Sequence, residues 1–308
     1  MLSLFILILF SLFVVIKSSN YAIHYSTRLA ESFCLSKYVV GFIIVAIISI
    51  LPESFISITS AVKGVPAFGL GTLFGSNVAD LSFVFVFVIL FAGRNLKVES
   101  KIVKNKPVYL VSMLIPIILG LNGHYSRFEG LALIVVGVLF YYLTLKDNKL
   151  DVSIKKTKFK IKDVIFLLIS MGLILLGSQA IVKFGIDLAN VLYISPVLIG
   201  MFIVGLGTVL PELIFSIKAA RHHQDSLALG DILGTVVADA TVVVGIVALI
   251  CPFEFNRRIV YVTGTFMVLA TFLLFYFMKS GKKITKKEAI LLFVFYLFFV
   301  SVELLISQ

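Results

Sequence analysis

The chain has 308 residues, of which 60% are hydrophobic and 14% charged, with 29 Phe, no Trp and a formal net charge of +11. Soluble proteins carry about 25% charged residues, so a soluble enzyme and a disordered chain are both excluded, and the composition is that of an integral membrane protein. The positive charges sit in short gaps between apolar runs and form no face, which points to membrane topology and anionic headgroups and away from nucleic acid.

A run of about 20 apolar residues spans a bilayer as a helix, because lipid offers no partner to unpaired backbone groups. Ten such runs are predicted. The first, 2–27, begins LSLFILILFSLFVVI without the basic start or small-residue cleavage site of a signal peptide, so it reads as a retained span. Next come 38–62, 66–92, a short run at 107–121, and 127–145. A basic linker at 146–162 leads to 163–186, 193–217, 227–251, 259–278 and 288–306. Gaps after odd-numbered runs hold 21 Lys and Arg, and gaps after even-numbered runs hold 4 when Arg127, at the very start of its run, is counted with the gap before it. That bias predicts a multi-pass cell-membrane protein with the linker in the cytoplasm and both termini outside. Cys34 and Cys251 fit no metal or redox spacing and read as apolar fillers.

The chain repeats itself. VGFIIVAIISILPESFISITSAVKG from Val40 aligns with IGMFIVGLGTVLPELIFSIKAAR from Ile199, and GTLFGSNVADLS from Gly71 aligns with GDILGTVVADAT from Gly230. The offset is 159 throughout, taking Pro52 to Pro211, Glu53 to Glu212 and Asp80 to Asp239, and it reaches back to Ser19 and Ser178. Residues 1–145 and 163–308 each hold five of the predicted spans. Five is odd, so the second copy enters the membrane from the opposite side. The predicted fold is therefore an all-α membrane protein of ten transmembrane helices in two inverted five-helix repeats, an architecture in which secondary transporters place their site at the repeat interface.

Glu53, Asp80, Glu212 and Asp239 lie well inside apolar runs. Each acid at a helix centre costs about 2.5–3.5 kcal/mol on insertion scales, and too few intramembrane Lys or Arg are present to pair with them. A cation or proton must offset the charge. Ser49 and Thr208 precede the two Glu by four residues, and Ser76 and Thr235 precede the two Asp by four. One helical turn puts each hydroxyl on the face of its acid. Pro52 and Pro211 free the carbonyls one turn earlier, near Ile48 and Gly207. Oxygen donors without His or Cys suit hard cations such as Na⁺ or Ca²⁺.

The two LPE segments, each followed 22 residues after its Glu by GS or GT and then by an acid, resemble the α-repeats of the cation/Ca²⁺ antiporter superfamily, most nearly those of prokaryotic Na⁺/Ca²⁺ exchangers. The resemblance implies that Glu53 and Glu212 bind Ca²⁺ at the centre in exchange with Na⁺, with Asp80 and Asp239 completing the cluster. It implies one flanking Na⁺ site from Ser49, Ser76 and the carbonyl of Ala46, and another from Thr208, Thr235 and the carbonyl of Gly205. It further implies that the first and sixth helices slide against a fixed core. The transported partners are then Ca²⁺ and Na⁺, with H⁺ a further candidate; no resident cofactor, nucleic acid or obligatory protein partner is expected.

The chain departs from the family pattern GTSLPE and GNxxGSNxxN or GNxxGSNxxD. Its first motif reads ISILPE, Asp80 stands where Asn is common, and Thr72 and Asp231 replace the Asn of GN. Four acids carry more charge than one Ca²⁺ neutralises, which leaves H⁺ coupling, K⁺ dependence or another divalent ion open. A non-transporting or channel-like relative is the more distant alternative. No nucleophile–base pair or nucleotide loop suggests an enzyme. His222 and His223 read as solvated loop residues, Lys17 and Lys183 as snorkelling, Glu303 as interfacial and Asp187 as lying at a helix end.

Overall fold

The computed structural model describes residues 2–32, 49–99, 102, 106–146 and 160–306. Ala46, Ile48, Cys34, most of the 146–162 linker and the first part of the 38–62 run lie outside the described residues. The described chain is almost entirely helical. Seven helices are long and apolar enough to cross a membrane, and an eighth span is counted if one bent pair is taken together. A shorter apolar helix covers Lys106–Asn122. The protein is thus a multi-pass membrane protein, although the described residues do not by themselves give ten spans.

In chain order the helices are α1 (Leu2–Ser32), α2 (Leu51–Val62), α3 (Pro66–Leu81), α4 (Phe83–Ala92), α5 (Lys106–Leu119), α6 (Arg127–Lys146) and α7 (Ile161–Leu192). They continue with α8 (Pro196–Arg221), α9 (Asp225–Ile250), α10 (Ile259–Lys279) and α11 (Lys286–Ile306). α1 and α7 outrun the apolar stretches predicted for them. At 1.5 Å per residue each reaches about 46–48 Å, past a hydrocarbon core of about 30 Å, so their polar ends stay helical into the interface. They pack along one another.

The third predicted run is not one straight span. α3 and α4 meet at 41°, because Ser82 leaves helical geometry at φ −136°, ψ −70° and its hydroxyl donates to the Val78 carbonyl. Serine back-bonding of this kind bends helices. The second copy answers at the equivalent place with a π-helical turn over Asp239–Val243 inside α9.

The 159-residue shift holds far beyond the motifs. It carries Leu2 to Ile161, Pro66 to Asp225 and Arg127 to Lys286, each the first residue of a helix, and Leu51 at the start of α2 to Leu210, where a helical segment resumes within α8. It also carries the turn after α2 onto the turn after α8. Val65 N donates to Ser60 O at 2.9 Å, and Gln224 N donates to Ala219 O at 2.9 Å. Gly64 takes φ +76° in the first turn and His223 takes φ 59° in the second. That left-handed conformation suits Gly and strains His. His223→Gly is expected to raise stability by about 0.5 kcal/mol, read as a higher unfolding midpoint in detergent.

α6 and α11 start on matching capping boxes. Glu129 Oε2 accepts from Ser126 N at 2.7 Å while Ser126 Oγ accepts from Glu129 N at 3.2 Å. Glu288 and Thr285 make the same pair of bonds at 2.7 and 3.4 Å. Such boxes satisfy helix-end donors that lipid cannot. Ser126→Ala and Thr285→Ala are each expected to cost about 1 kcal/mol, seen as faster amide hydrogen exchange in the first turn of the helix concerned.

Two short antiparallel ladders tie the copies together: Leu96–Lys97 pairs with Lys283–Ile284, and His124–Tyr125 with Phe253–Glu254. The 68–81 part of α3 and the 228–238 part of α9 are buried on every side, so they form the centre of the molecule. Gly75 lets α3 meet α8: a methyl group there would lie 2.7 Å from the Met201 carbonyl. α1 and α7 lie outside this centre.

Candidate cation-binding site

Both Glu-bearing segments break just before the acid. In α8 the regular helical hydrogen-bond pattern is interrupted at Val209, which keeps right-handed helical angles, and a new segment runs Leu210–Arg221 with Pro211 in its first turn. α2 starts in the same way after Ile50, with Pro52 in its first turn. Proline is tolerated there because first-turn donors lack partners anyway. Matching backbone bonds follow, Ser54 N to Ile50 O at 2.9 Å and Leu213 N to Val209 O at 3.0 Å. Glu53 and Glu212 therefore occupy the first turn of a helix, where backbone N–H groups and the helix dipole favour negative charge.

Asp80 lies two residues before the Ser82 break, and Asp239 opens the π-helical turn. π-turns gather at functional sites, since they re-aim side chains within a helix. All four acids are at most 1% exposed. Among the described residues, none of the four is in an ion pair. Among the described residues, both carboxylate oxygens of Glu212 and of Asp239, one of Glu53 and one of Asp80 have no hydrogen-bond partner. The side chains of Glu53 and Thr208 lie within hydrogen-bonding reach. Glu53 and Asp80 each act electrostatically on Glu212 and on Asp239, so acids from both repeats share one low-dielectric region.

The hydroxyls at the site are engaged with protein groups. Ser49 Oγ lies 3.3 Å from Thr235 Oγ1, across the two repeats. Ser76 donates to Leu73 O at 3.0 Å, and Thr208 donates to Gly205 O at 3.0 Å. The Gly205 carbonyl is thus bonded to protein, while Ala46 lies outside the described residues. Nor do the acids form a ready-made cage: among the described residues no three Asp, Glu, His or Cys side chains converge tightly enough to hold a metal ion. Ca²⁺ needs oxygens at 2.3–2.6 Å, so a bound ion would have to draw these side chains together.

A cleft of about 640 Å³ opens elsewhere, between α1 and the end of α8. It is lined by Lys17, His24, Arg28 and Lys218 among others and by none of the four acids. Two further acids are buried, one where the motif has Asn and one that the sequence places at the interface. Asp231, on α9, is 2% exposed with both carboxylate oxygens unpartnered among the described residues; its place on the apolar stretch four residues before Thr235 was the available signal. Glu303 is 3% exposed and bound to Arg258 and Thr263; its partners are remote in sequence, so local pattern alone assigns it to the interface.

Buried acids from two like halves, set at helix interruptions within one membrane-spanning bundle, mark a membrane protein of the cation-exchanger class. The chain belongs to the sodium/calcium exchanger protein family, which it matches over residues 3–146 and 162–305, and so to the cation/Ca²⁺ antiporter superfamily. It is 22% identical to the sodium/calcium exchanger MaX1 of Methanosarcina acetivorans over 342 residues, covering 97% of each chain. Its fold matches the sodium–calcium exchanger NCX_Mj with a TM-score of 0.71 at 24% identity, over 98% of this chain and 99% of that one. It also matches the H⁺/Ca²⁺ exchanger CAX with a TM-score of 0.77 at 19% identity, over 98% of this chain and 82% of that one.

Proposed function

We propose that this chain is a secondary antiporter exchanging Ca²⁺ for Na⁺ across the cell membrane by alternating access. The observation that carries the reading is the pair Glu53 and Glu212, buried and set by matching helix breaks in two halves related by one offset. In this reading the ten predicted spans form two inverted five-helix repeats, with the termini outside and the linker in the cytoplasm. Glu53, Glu212, Asp80 and Asp239 take Ca²⁺, while Ser49, Ser76, Thr208 and Thr235, with the Ala46 and Gly205 carbonyls, serve Na⁺. Either ion load offsets most of the acids' charge, protons take up the remainder, and the loaded core then faces the other side as α1 and α7 slide. The empty, charged core crosses only at high cost, which enforces exchange.

A second reading, H⁺/Ca²⁺ exchange, draws on the chain's own acids. Asp80 and Asp231 stand where the family pattern has or allows Asn, so more protonatable oxygen is present than Na⁺ exchange needs. ⁴⁵Ca²⁺ uptake into proteoliposomes at fixed pH tests the two. Uptake driven by an outward Na⁺ gradient supports Na⁺/Ca²⁺ exchange, and uptake driven only by a proton gradient supports the second reading. Flux indifferent to both gradients defeats exchange altogether.

A further inference from the structure

We infer that Asp231 is an additional cation-binding residue, on the face of α9 that carries Thr235 and Asp239, and that it takes one hard monovalent cation of the Na⁺ type. This rests on the exchange reading above and extends it to the motif position where the family pattern has Asn and this chain has Asp.

Asp231 is 2% exposed and neither of its carboxylate oxygens has a partner among the described residues. A buried carboxylate left alone is costly, and proteins keep such groups where something else supplies the balancing charge. Packing does not demand an acid at this place. The equivalent residue of the first repeat is Thr72, equally buried, whose hydroxyl donates to the Phe68 carbonyl at 3.0 Å and so needs nothing further. One copy of the same helix position is satisfied by its own backbone; the other presents two free oxygens.

The surroundings give the ligand class. Asp231, Thr235 and Asp239 follow at intervals of four, so they share one side of the helix, with Asp231 about 12 Å along the axis from Asp239. Asp231 acts electrostatically on Asp80 and Glu212, so it belongs to the field of the central acids. Tyr141 feels both Asp231 and Asp239, and its hydroxyl donates to the Gly234 carbonyl at 3.0 Å. The donors are oxygens, which selects a hard cation. A single carboxylate balances one positive charge, and a divalent ion held there alone would leave an excess charge in an apolar interior. The start of α9 is already occupied: Asp225 holds Arg94 in a two-point ion pair at 2.5 and 2.7 Å. Asp231 is then the first unpaired acid met on the way from that end to Asp239.

The full-length chain in detergent allows a direct test. Saturable ²²Na⁺ binding in Ca²⁺-free buffer is compared between wild type, Asp231→Asn and Asp231→Thr, with ⁴⁵Ca²⁺ binding in Na⁺-free buffer measured in parallel. Asp231→Thr installs the residue that the first repeat already carries at this position, which guards against simple misfolding. The expected result is a selective loss: one Na⁺ fewer per chain, or half-saturation at about tenfold higher Na⁺, with ⁴⁵Ca²⁺ binding less affected. Unchanged ²²Na⁺ isotherms in both variants, or no saturable ²²Na⁺ binding by wild type, overturn the assignment. Equal loss of both isotopes in Asp231→Thr also overturns it, because Asp231 would then support the central cluster and hold no ion of its own. A selective ²²Na⁺ loss in a wild type that binds no ⁴⁵Ca²⁺ would sustain Asp231 as a Na⁺ ligand and refute Ca²⁺/Na⁺ exchange.

Discussion

Glu53→Gln and Glu212→Gln should each lower gradient-driven ⁴⁵Ca²⁺ uptake by about 30-fold to several thousand-fold, while leaving the protein folded. Gln keeps the size of the side chain and removes its charge. Losing one partner of a buried charge pair costs about 2–5 kcal/mol, and each 1.4 kcal/mol is a factor of ten. The fold should tolerate the change, since a neutral amide in the same place relieves the burden of an uncompensated acid. Both Glu residues are at most 1% exposed and sit in the first turn after matching breaks, so the two losses should be of similar size. A large loss at one Glu with wild-type uptake at the other would show that the halves do not share one ion. Initial rates in proteoliposomes, normalised to incorporated protein, make the comparison.

Such symmetry was largely legible in the sequence, for a physical reason. An acid in an apolar helix is expensive and a proline there removes a donor, so Pro52–Glu53 and Pro211–Glu212 stand out at one offset without any knowledge of contacts. The capping boxes at Ser126–Glu129 and Thr285–Glu288 obey the same offset and are local patterns four residues long. What the sequence hid depends on geometry or on distant partners. The bend at Ser82 follows from which carbonyl its hydroxyl takes, and an apolar run reads the same whether straight or broken. The Ser49–Thr235 contact joins residues 186 apart, so no local pattern in either repeat announces it. Asp231 was visible as an acid, but only its burial and its lack of partners separate it from a loop carboxylate near the helix start.

Arg258 and Glu303 supply the largest stability effect expected away from the ion-binding acids. Arg258 Nη2 donates to Glu303 Oε2 at 3.2 Å and to the Glu303 carbonyl at 2.9 Å, and Thr263 Oγ1 donates to Glu303 Oε1 at 2.5 Å. These bonds clamp the π-helical start of α10 (Ile259–Gly264) to the end of α11. The side chain of Glu303 is 3% exposed and that of Arg258 29%, so removing the Arg strands a buried carboxylate. Arg258→Met is therefore expected to destabilise the chain by about 3 kcal/mol, the low end for a broken buried pair because the guanidinium is partly solvated. Adding Glu303→Leu removes the stranded charge, and replacing both members of a buried pair by apolar residues is often near neutral. The double variant should thus be more stable than Arg258→Met by about 1–2 kcal/mol, with Thr263 left to find a backbone carbonyl. Chemical unfolding in detergent, followed by far-ultraviolet circular dichroism, measures both. A double variant less stable than Arg258→Met would mean that the carboxylate is held by Thr263 and its surroundings, and that the Arg contributes little.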